Sequence, residues 1–252
     1  ESDSIPGRVN LIAGKWKTTK RIAVSYSDAV SYFPEEKVAV TGNPIRKELL
    51  EPTKTGSAEY FGLKSDIPII FITGGSQGAM NINDIVVDNL PSLLKDYQII
   101  HQTGIANFKE VTNRANLIIE KELNKGNYKP LANLDEVAMK MAGGASSLII
   151  SRAGSAIFEI ANWGLPSIII PISEDISRDQ HKNAFAYARR SKAVVLEEKN
   201  LSGTILLSEI NRIMKNPALL QDMKNGALSF SSKDAANKIA REIVNMGLVH
   251  EK

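Results

Sequence analysis

Pro68-Ile69-Ile70-Phe71-Ile72-Thr73-Gly74-Gly75-Ser76-Gln77-Gly78-Ala79 is the stretch that decides the fold. Its first half is an unbroken apolar run rich in β-branched side chains, which suits a strand covered on both faces. Glycines follow at once, and a helical pattern begins just beyond them, over 81–95. Glycine lets a backbone turn sharply and approach a ligand closely, and the free N–H groups of the next helix favour an anion. Ser76 adds a hydroxyl suited to a phosphate oxygen. No Lys-Ser/Thr pair follows, so the loop is not a Walker A, and its spacing is not that of a G-x-G-x-x-G fingerprint. Two readings stand at this point: a phosphate cradle, or a tight strand-to-helix turn of any open α/β sheet.

Outward from this point, short Val/Ile-rich runs alternate with longer helical patterns. Strands are expected at 21–25, 68–73, 97–102, 147–151, 166–171 and 193–196, with helices at 81–95, 107–123, 134–142, 155–162 and 180–190. Such alternation predicts an α/β fold, a doubly wound parallel sheet of the Rossmann-like kind. From Ser202 onward the pattern is helical only, broken once at Pro217, and 233–246 carries apolar residues at helical spacing. The polar stretch 47–66, with Pro52, Gly56 and Gly62, reads as a connector into a new domain. Residues 1–45 hold one helix and two short strands, too little to bury a core of their own. The expected division is therefore 1–45 as the tail of one Rossmann-like domain, 46–231 as a ligand-binding domain, and 232–252 as a returning helix.

Two further motifs sit where a doubly wound sheet places its ligand crevice, at the C-terminal ends of strands. Ser151-Arg152-Ala153-Gly154-Ser155 links a strand to a helix, with Glu159 one turn further on. A carboxylate there can accept hydrogen bonds from both hydroxyls of a ribose, although an isolated Glu at that point reads more simply as a helix-surface group. Gln180-His181-Lys182-Asn183-Ala184 opens a later helix, and the Gln and Asn amides offer donors and acceptors to sugar hydroxyls. His101, His181 and His250 pair with no carboxylate at a telling spacing and read as ordinary surface or cap histidines.

Composition narrows the class. The 252 residues carry a net charge of +3, and the densest basic group, Lys15, Lys17, Lys20 and Arg21, reads as a solvated helix face, with contact to an anionic surface as the alternative. No zinc-finger spacing or RNA-binding motif supports a nucleic-acid partner. With no cysteine there are no disulfides, thiolate metal sites or cysteine nucleophiles. No metal-ligand cluster and no organic cofactor is expected, and no apolar run approaches the ~20 residues of a membrane helix.

Taken in order, the motifs carry a resemblance. Glu1-Ser2-Asp3-Ser4-Ile5-Pro6-Gly7, Gly42-Asn43-Pro44-Ile45-Arg46, Gly74 to Ala79, His101-Gln102-Thr103-Gly104, Ser151-Arg152-Ala153-Gly154 and Gln180-x-x-Asn183-Ala184 together resemble the MurG family along the whole chain. The resemblance implies a GT-B glycosyltransferase, inverting and metal-independent. It implies transfer of N-acetylglucosamine from UDP-N-acetylglucosamine to the undecaprenyl-pyrophosphoryl-muramyl-pentapeptide lipid of peptidoglycan synthesis. It also implies a cytoplasmic enzyme, peripheral on the inner face of the membrane and touching it through an N-terminal half absent here. By position, Ser76 would meet the donor phosphates with Gln77 beside it, and Arg46 would stand at the interdomain joint by the nucleotide. Leu134 matches a place where the family's backbone holds uracil. Ser155 to Glu159 would line ribose and phosphate, with Glu159 on the ribose hydroxyls, and Gln180 and Asn183 would read the sugar. Asp3 stands where many members carry Asn, at a sugar contact. The family's N-terminal glycine-rich loop, where acceptor and proposed base sit, has no counterpart, so catalytic residues are expected outside these 252. The rival expectations are another GT-B UDP-sugar enzyme, an epimerase or glycolipid synthase, or a non-catalytic nucleotide-sugar-binding module.

Overall fold

The computed structural model describes residues 1–75, 78–173, 176 and 178–250. In chain order, α1 (Arg8–Lys15), β1 (Ile22–Val24) and β2 (Val38–Val40) form a small N-terminal unit around a two-stranded parallel sheet. Val24, Ala29 and Phe33 make its own small core, and Gly14 lets α1 lie directly against the Phe33 ring. After α2 (Ser57–Tyr60) comes the larger unit: β3 (Ile69–Thr73), α3 (Met80–Asp88), α4 (Leu90–Leu93), β4 (Gln98–Gln102), α5 (Phe108–Ile118) and β5 (Tyr128–Leu131). It continues with α6 (Glu136–Ala145), β6 (Leu148–Ser151), α7 (Ala156–Trp163), β7 (Ser167–Ile169), α8 (Arg178–Ser191) and β8 (Val194–Val195). Three helices close the chain: α9 (Gly203–Met214), α10 (Pro217–Phe230) and α11 (Ala235–His250).

The six strands of the larger unit are all parallel, in the order β5-β4-β3-β6-β7-β8. Counted within that unit this is the 3-2-1-4-5-6 order of a Rossmann sheet, so the winding direction reverses between β3 and β6. Every residue of β3 and β4 is buried. Ile70 and Ile72 pack into one core with Ile82 and Val86 of α3 and Leu206 and Ile210 of α9. Ile69 and Phe71 pack into the other with Ile157 and Ile160 of α7, Trp163 and Tyr187. That two-sided cover is why β3 reads as a continuous apolar run, each buried Ile contributing about 1.5–3 kcal/mol.

Two details depart from expectation. The run 81–95 is two helices, because Pro91 occupies the first turn of α4 and cannot supply the N–H that would continue α3. β5 has no counterpart among the expected strands. Its Pro130 lies beside His101 at the sheet edge, where a strand tolerates a residue that cannot donate on one side.

The last helix returns to the first unit. Arg21 Nε contacts Glu242 Oε1 of α11 at 2.6 Å, and Ser232 Oγ donates to the Thr41 carbonyl oxygen at 2.8 Å. Gly42, at φ +81°, passes so close that a Cβ there would meet Ser232 Cβ at 2.4 Å. Apolar side chains stay exposed on both flanking helices: Val9, Ile12 and Trp16 at α1, and Ile243, Val244 and Leu248 on α11. Among the described residues no helix is long and apolar enough to cross a membrane.

Candidate functional site

A doubly wound sheet binds its ligand outside the carboxyl ends of its strands, at the point where the winding reverses. Here that point lies between Thr73, which ends β3, and Ser151, which ends β6 and pairs with it. The glycine turn after β3 is tightly built. Gly75 (φ +81°) donates its N–H to Thr73 Oγ1 at 3.1 Å, and the Gly78 N–H closes back on the Gly75 carbonyl at 3.0 Å. Gly78 (φ +77°) is pressed against the end of β4, so that a Cβ on it would lie 2.3 Å from the Thr103 carbonyl oxygen. Ser76 and Gln77, expected to face the phosphates, lie outside the described residues.

Across the crevice, Ser155 stands at the N-terminus of α7 without capping it through its side chain. The Ile157 and Phe158 N–H groups bond the Gly154 and Ser155 carbonyls at 3.2 and 3.0 Å, which leaves the N–H groups before them, at Ser155 and Ala156, to offer to an anion. Glu159, one turn in, keeps only 20% of its side chain exposed. Burial raises its carboxyl above the ordinary value, and the Arg46 guanidinium opposes that shift. Arg46 reaches Glu159 Oε1 through Nη2 and Glu136 Oε1 through Nη1, both at 3.5 Å. These are long contacts on a half-exposed side chain, so they hold little energy. Leu134 is buried immediately before Asp135, whose carboxylate caps α6 by accepting the Ala138 N–H at 2.8 Å.

The start of α8 is tied down on two sides. Gln180 Oε1 accepts the Ile172 N–H at 3.4 Å, a contact weak enough to exchange for a ligand hydroxyl. Asn183, fully buried, donates from Nδ2 to Asp3 Oδ1 at 2.7 Å and accepts the Ser4 N–H on Oδ1 at 2.8 Å. Burial raises the Asp3 carboxyl, helped by the nearby charges of Glu1 and Asp179, against the lowering pull of that Asn183 hydrogen bond. Asp3 and Asn183 are thus brought together, with the Asn amide spent on the N-terminal segment.

Two histidines, His101 and His181, depart from the expectation of ordinary surface or cap residues without a carboxylate partner. His101 is wholly buried, and burial holds its pKa down to about 3. Its Nδ1 meets the Tyr128 hydroxyl at 2.9 Å and its Nε2 meets Asn83 Oδ1 at 3.0 Å. His181 does pair with a carboxylate, Glu197 Oε1 at 3.0 Å, from the loop after β8. The side chain of His250 lies outside the described residues. Two polar groupings had no sequence reading. Arg152 binds the Ile170 and Pro171 carbonyls at 3.2 Å and Glu198 at 2.7 Å, while Glu198 also accepts Asn81 Nδ2 at 2.8 Å. Thr73, Gln102 and Asn133 form the second, running from the glycine turn across the end of β4. A Gln inside a fully buried strand was the available signal, because a buried amide must find partners. No group of His, Cys, Asp and Glu among the described residues is placed to hold a metal ion.

The model of the glycosyltransferase family 28 C-terminal domain matches residues 69–239, more than half of the chain. The chain belongs to glycosyltransferase family 28. Its curated relatives include the UDP-N-acetylglucosamine–N-acetylmuramyl-(pentapeptide) pyrophosphoryl-undecaprenol N-acetylglucosamine transferase of Acetivibrio thermocellus, 33% identical over 95% of this chain. The enzyme of the same name from Bacillus subtilis is 34% identical over 95%. The family 28 chain spans 63% and 64% of the length of those two proteins. Among solved structures, Acinetobacter baumannii MurG shares the fold at a TM-score of 0.73 and 22% identity, over 96% of this chain and 65% of that one. The UDP-GlcNAc 2-epimerase of Neisseria meningitidis, solved bound to UDP-GlcNAc, shares it at 0.63 and 15% identity, over 90% and 61%. The six-stranded sheet lies wholly within the matched stretch, and the expectation of an α/β GT-B fold holds.

Proposed function

We propose that residues 46–231 are the donor-binding domain of an N-acetylglucosaminyltransferase and hold UDP-N-acetylglucosamine at the β3–β6 switch point. The observation that carries this is the facing pair of strand-end turns. One is rich in glycine, the other opens α7, whose N-cap side chain makes no capping bond, and the half-buried carboxylate of Glu159 stands beside them. Backbone N–H groups and the α7 N-terminus neutralise the diphosphate without a metal, with Ser76, Gln77 and Ser155 as hydroxyl and amide donors. Glu159 takes the ribose diol, the backbone at Leu134 takes the uracil, and Arg46 leaves its long contacts to meet the nucleotide. Gln180 reads a sugar hydroxyl, with Asn183 and Asp3 bordering the sugar from the N-terminal side.

In the full-length relatives the curated names give the acceptor as a lipid-linked muramyl-pentapeptide. In this reading the parent of this chain converts that lipid with inversion, at the inner face of the cell membrane. The acceptor and the base that deprotonates its hydroxyl belong to the part outside these residues, with 1–45 its C-terminal end and α11 packing back toward it. Transfer needs that hydroxyl in line with the anomeric carbon and a base within hydrogen-bond reach. The chain alone therefore binds donor and transfers nothing. Calorimetry with UDP and UDP-N-acetylglucosamine tests the first half, and absence of donor binding ends the reading. Product analysis with labelled donor and lipid-linked acceptor, beside the full-length parent, tests the second. Turnover by this chain near the parent's rate refutes the division of labour, and an epimerised UDP-sugar product refutes the transferase.

A further inference from the structure

A continuous line of hydrogen bonds joins two parts of the site that the donor reading assigns to different pieces of the ligand. The Gly75 N–H donates to Thr73 Oγ1 at 3.1 Å, and the Thr73 hydroxyl donates to Gln102 Oε1 at 2.8 Å. Gln102 Nε2 then donates to Asn133 Oδ1 at 2.8 Å, one residue before Leu134. Each group donates its hydrogen bond in the same sense, and such chains polarise and stiffen one another. Thr73 and Gln102 are almost wholly buried, at 5% and 2% exposure, so water is a poor substitute partner for either.

The surroundings leave little slack. Gly78 touches the Thr103 carbonyl on one side of β4, and Thr103 donates its N–H to the Leu131 carbonyl at 2.9 Å on the other. The end of β4 is therefore a wedge between the glycine turn and the segment leading into α6. An apolar residue at 102 would pack as well in a buried strand, and it would leave Thr73 and Asn133 without each other.

We infer that Gln102 is a positioning residue that sets the spacing between the phosphate-holding turn at Gly75 and the base-holding segment at Leu134. It touches neither piece of the ligand. Its effect is that uracil and diphosphate, joined by a ribose of fixed length, find both halves of the site in register at once. This inference rests on the donor reading. It predicts a particular pattern: the intact nucleotide suffers when Gln102 changes, and the separate pieces do not.

The test compares UDP, uridine and inorganic pyrophosphate binding to the 252-residue chain, wild type against Gln102→Leu and Asn133→Ala. Gln102→Leu is expected to weaken UDP ~10-fold, within the usual range of coupling between sites, while uridine and pyrophosphate each change less than about 2-fold. Equal losses for all three ligands mean a merely structural role and overturn the inference, as does an unchanged UDP affinity. Asn133→Ala alters only the exposed end of the line and keeps the fold if Gln102→Leu does not. In that variant, amide hydrogen exchange without ligand is expected to quicken at Gly75, which Asn133 never touches, and an unchanged Gly75 rate overturns the relay. That exchange readout needs no nucleotide. If wild-type chain fails to bind UDP the donor reading falls, and the relay is still judged by Gly75.

Discussion

Glu159→Gln separates what the carboxylate does for the fold from what it does for a ligand. The amide keeps the volume and one acceptor oxygen and removes the charge. Its contact with Arg46 is 3.5 Å long, and the Arg46 side chain is 52% exposed, so losing the ion pair costs a few tenths of a kcal/mol at most. Burial acts the other way, since it raises the Glu159 carboxyl above its ordinary 4.5 and so penalises the ionised form in the fold. A raised carboxyl contributes stability below its unfolded pKa and loses it as pH climbs through the folded one. The variant should thus melt no lower than wild type at pH 7, and any gain should vanish below about pH 4.5, where both side chains are neutral. Binding moves oppositely. A hydrogen bond to a charged group is worth about 1.5–3 kcal/mol, so loss of one charge-assisted bond from the ribose weakens UDP roughly 10- to 150-fold. Calorimetry with UDP and 2′-deoxy-UDP makes the assignment specific. Removing the 2′-hydroxyl should cost wild type much of that factor and cost the variant less than about 3-fold, because the two changes delete the same contact. Unchanged UDP affinity, or two fully additive losses, refutes the placement of Glu159 on the diol.

Gly78→Ala combines a positive φ with a Cβ 2.3 Å from the Thr103 carbonyl, for a loss of about 2–5 kcal/mol read by urea unfolding. A normal midpoint would mean the turn opens freely. Asn183→Ala strips the acceptor from the buried Ser4 N–H and should cost about 1–3 kcal/mol, with amide exchange quickening at Ser4. If it abolished sugar discrimination without touching stability, Asn183 would be a sugar reader first. Gln180→Ala should narrow the preference for gluco over galacto UDP-sugars while UDP itself still binds, and equal loss of both makes the turn structural only. If backbone N–H groups and the α7 N-terminus carry the neutralisation, as proposed, EDTA should leave UDP affinity unchanged, and a strong loss contradicts that account.

The central strands were legible because burial on both faces writes itself into sequence as continuous apolar runs, as in Ile69 to Thr73. The edge was not. Tyr128, Lys129 and Pro130 carry neither alternation nor an apolar run, and only their pairing with β4 makes them a strand. The glycine turns and Glu159 could be placed from local order, since each lies within a few residues of a strand end. What escaped was everything joined across the chain: His181 with Glu197, Arg152 with Glu198 and Asn81, Gln102 with Thr73 and Asn133. Those partners lie 16 to 117 residues apart, and no periodicity links them. His101 misled for the same reason, because a histidine in isolation reads as polar surface while its two ring partners are supplied by α3 and β5.

The near-contact of Gly42 with Ser232 makes the way in and the way out of the large unit a single doorway. Everything from Asn43 to Ser231 leaves the flanking structure and rejoins it through two threads lying side by side. Segments with such close ends can be lifted out and set into another host with little strain on either, as circular permutation and domain insertion exploit. In evolutionary terms the six-stranded unit is a cartridge. Recombination that cut at both threads would exchange one such unit for another and leave the flanking helices undisturbed. A single crossover would strand α11 against a foreign partner and break its pairing with Arg21.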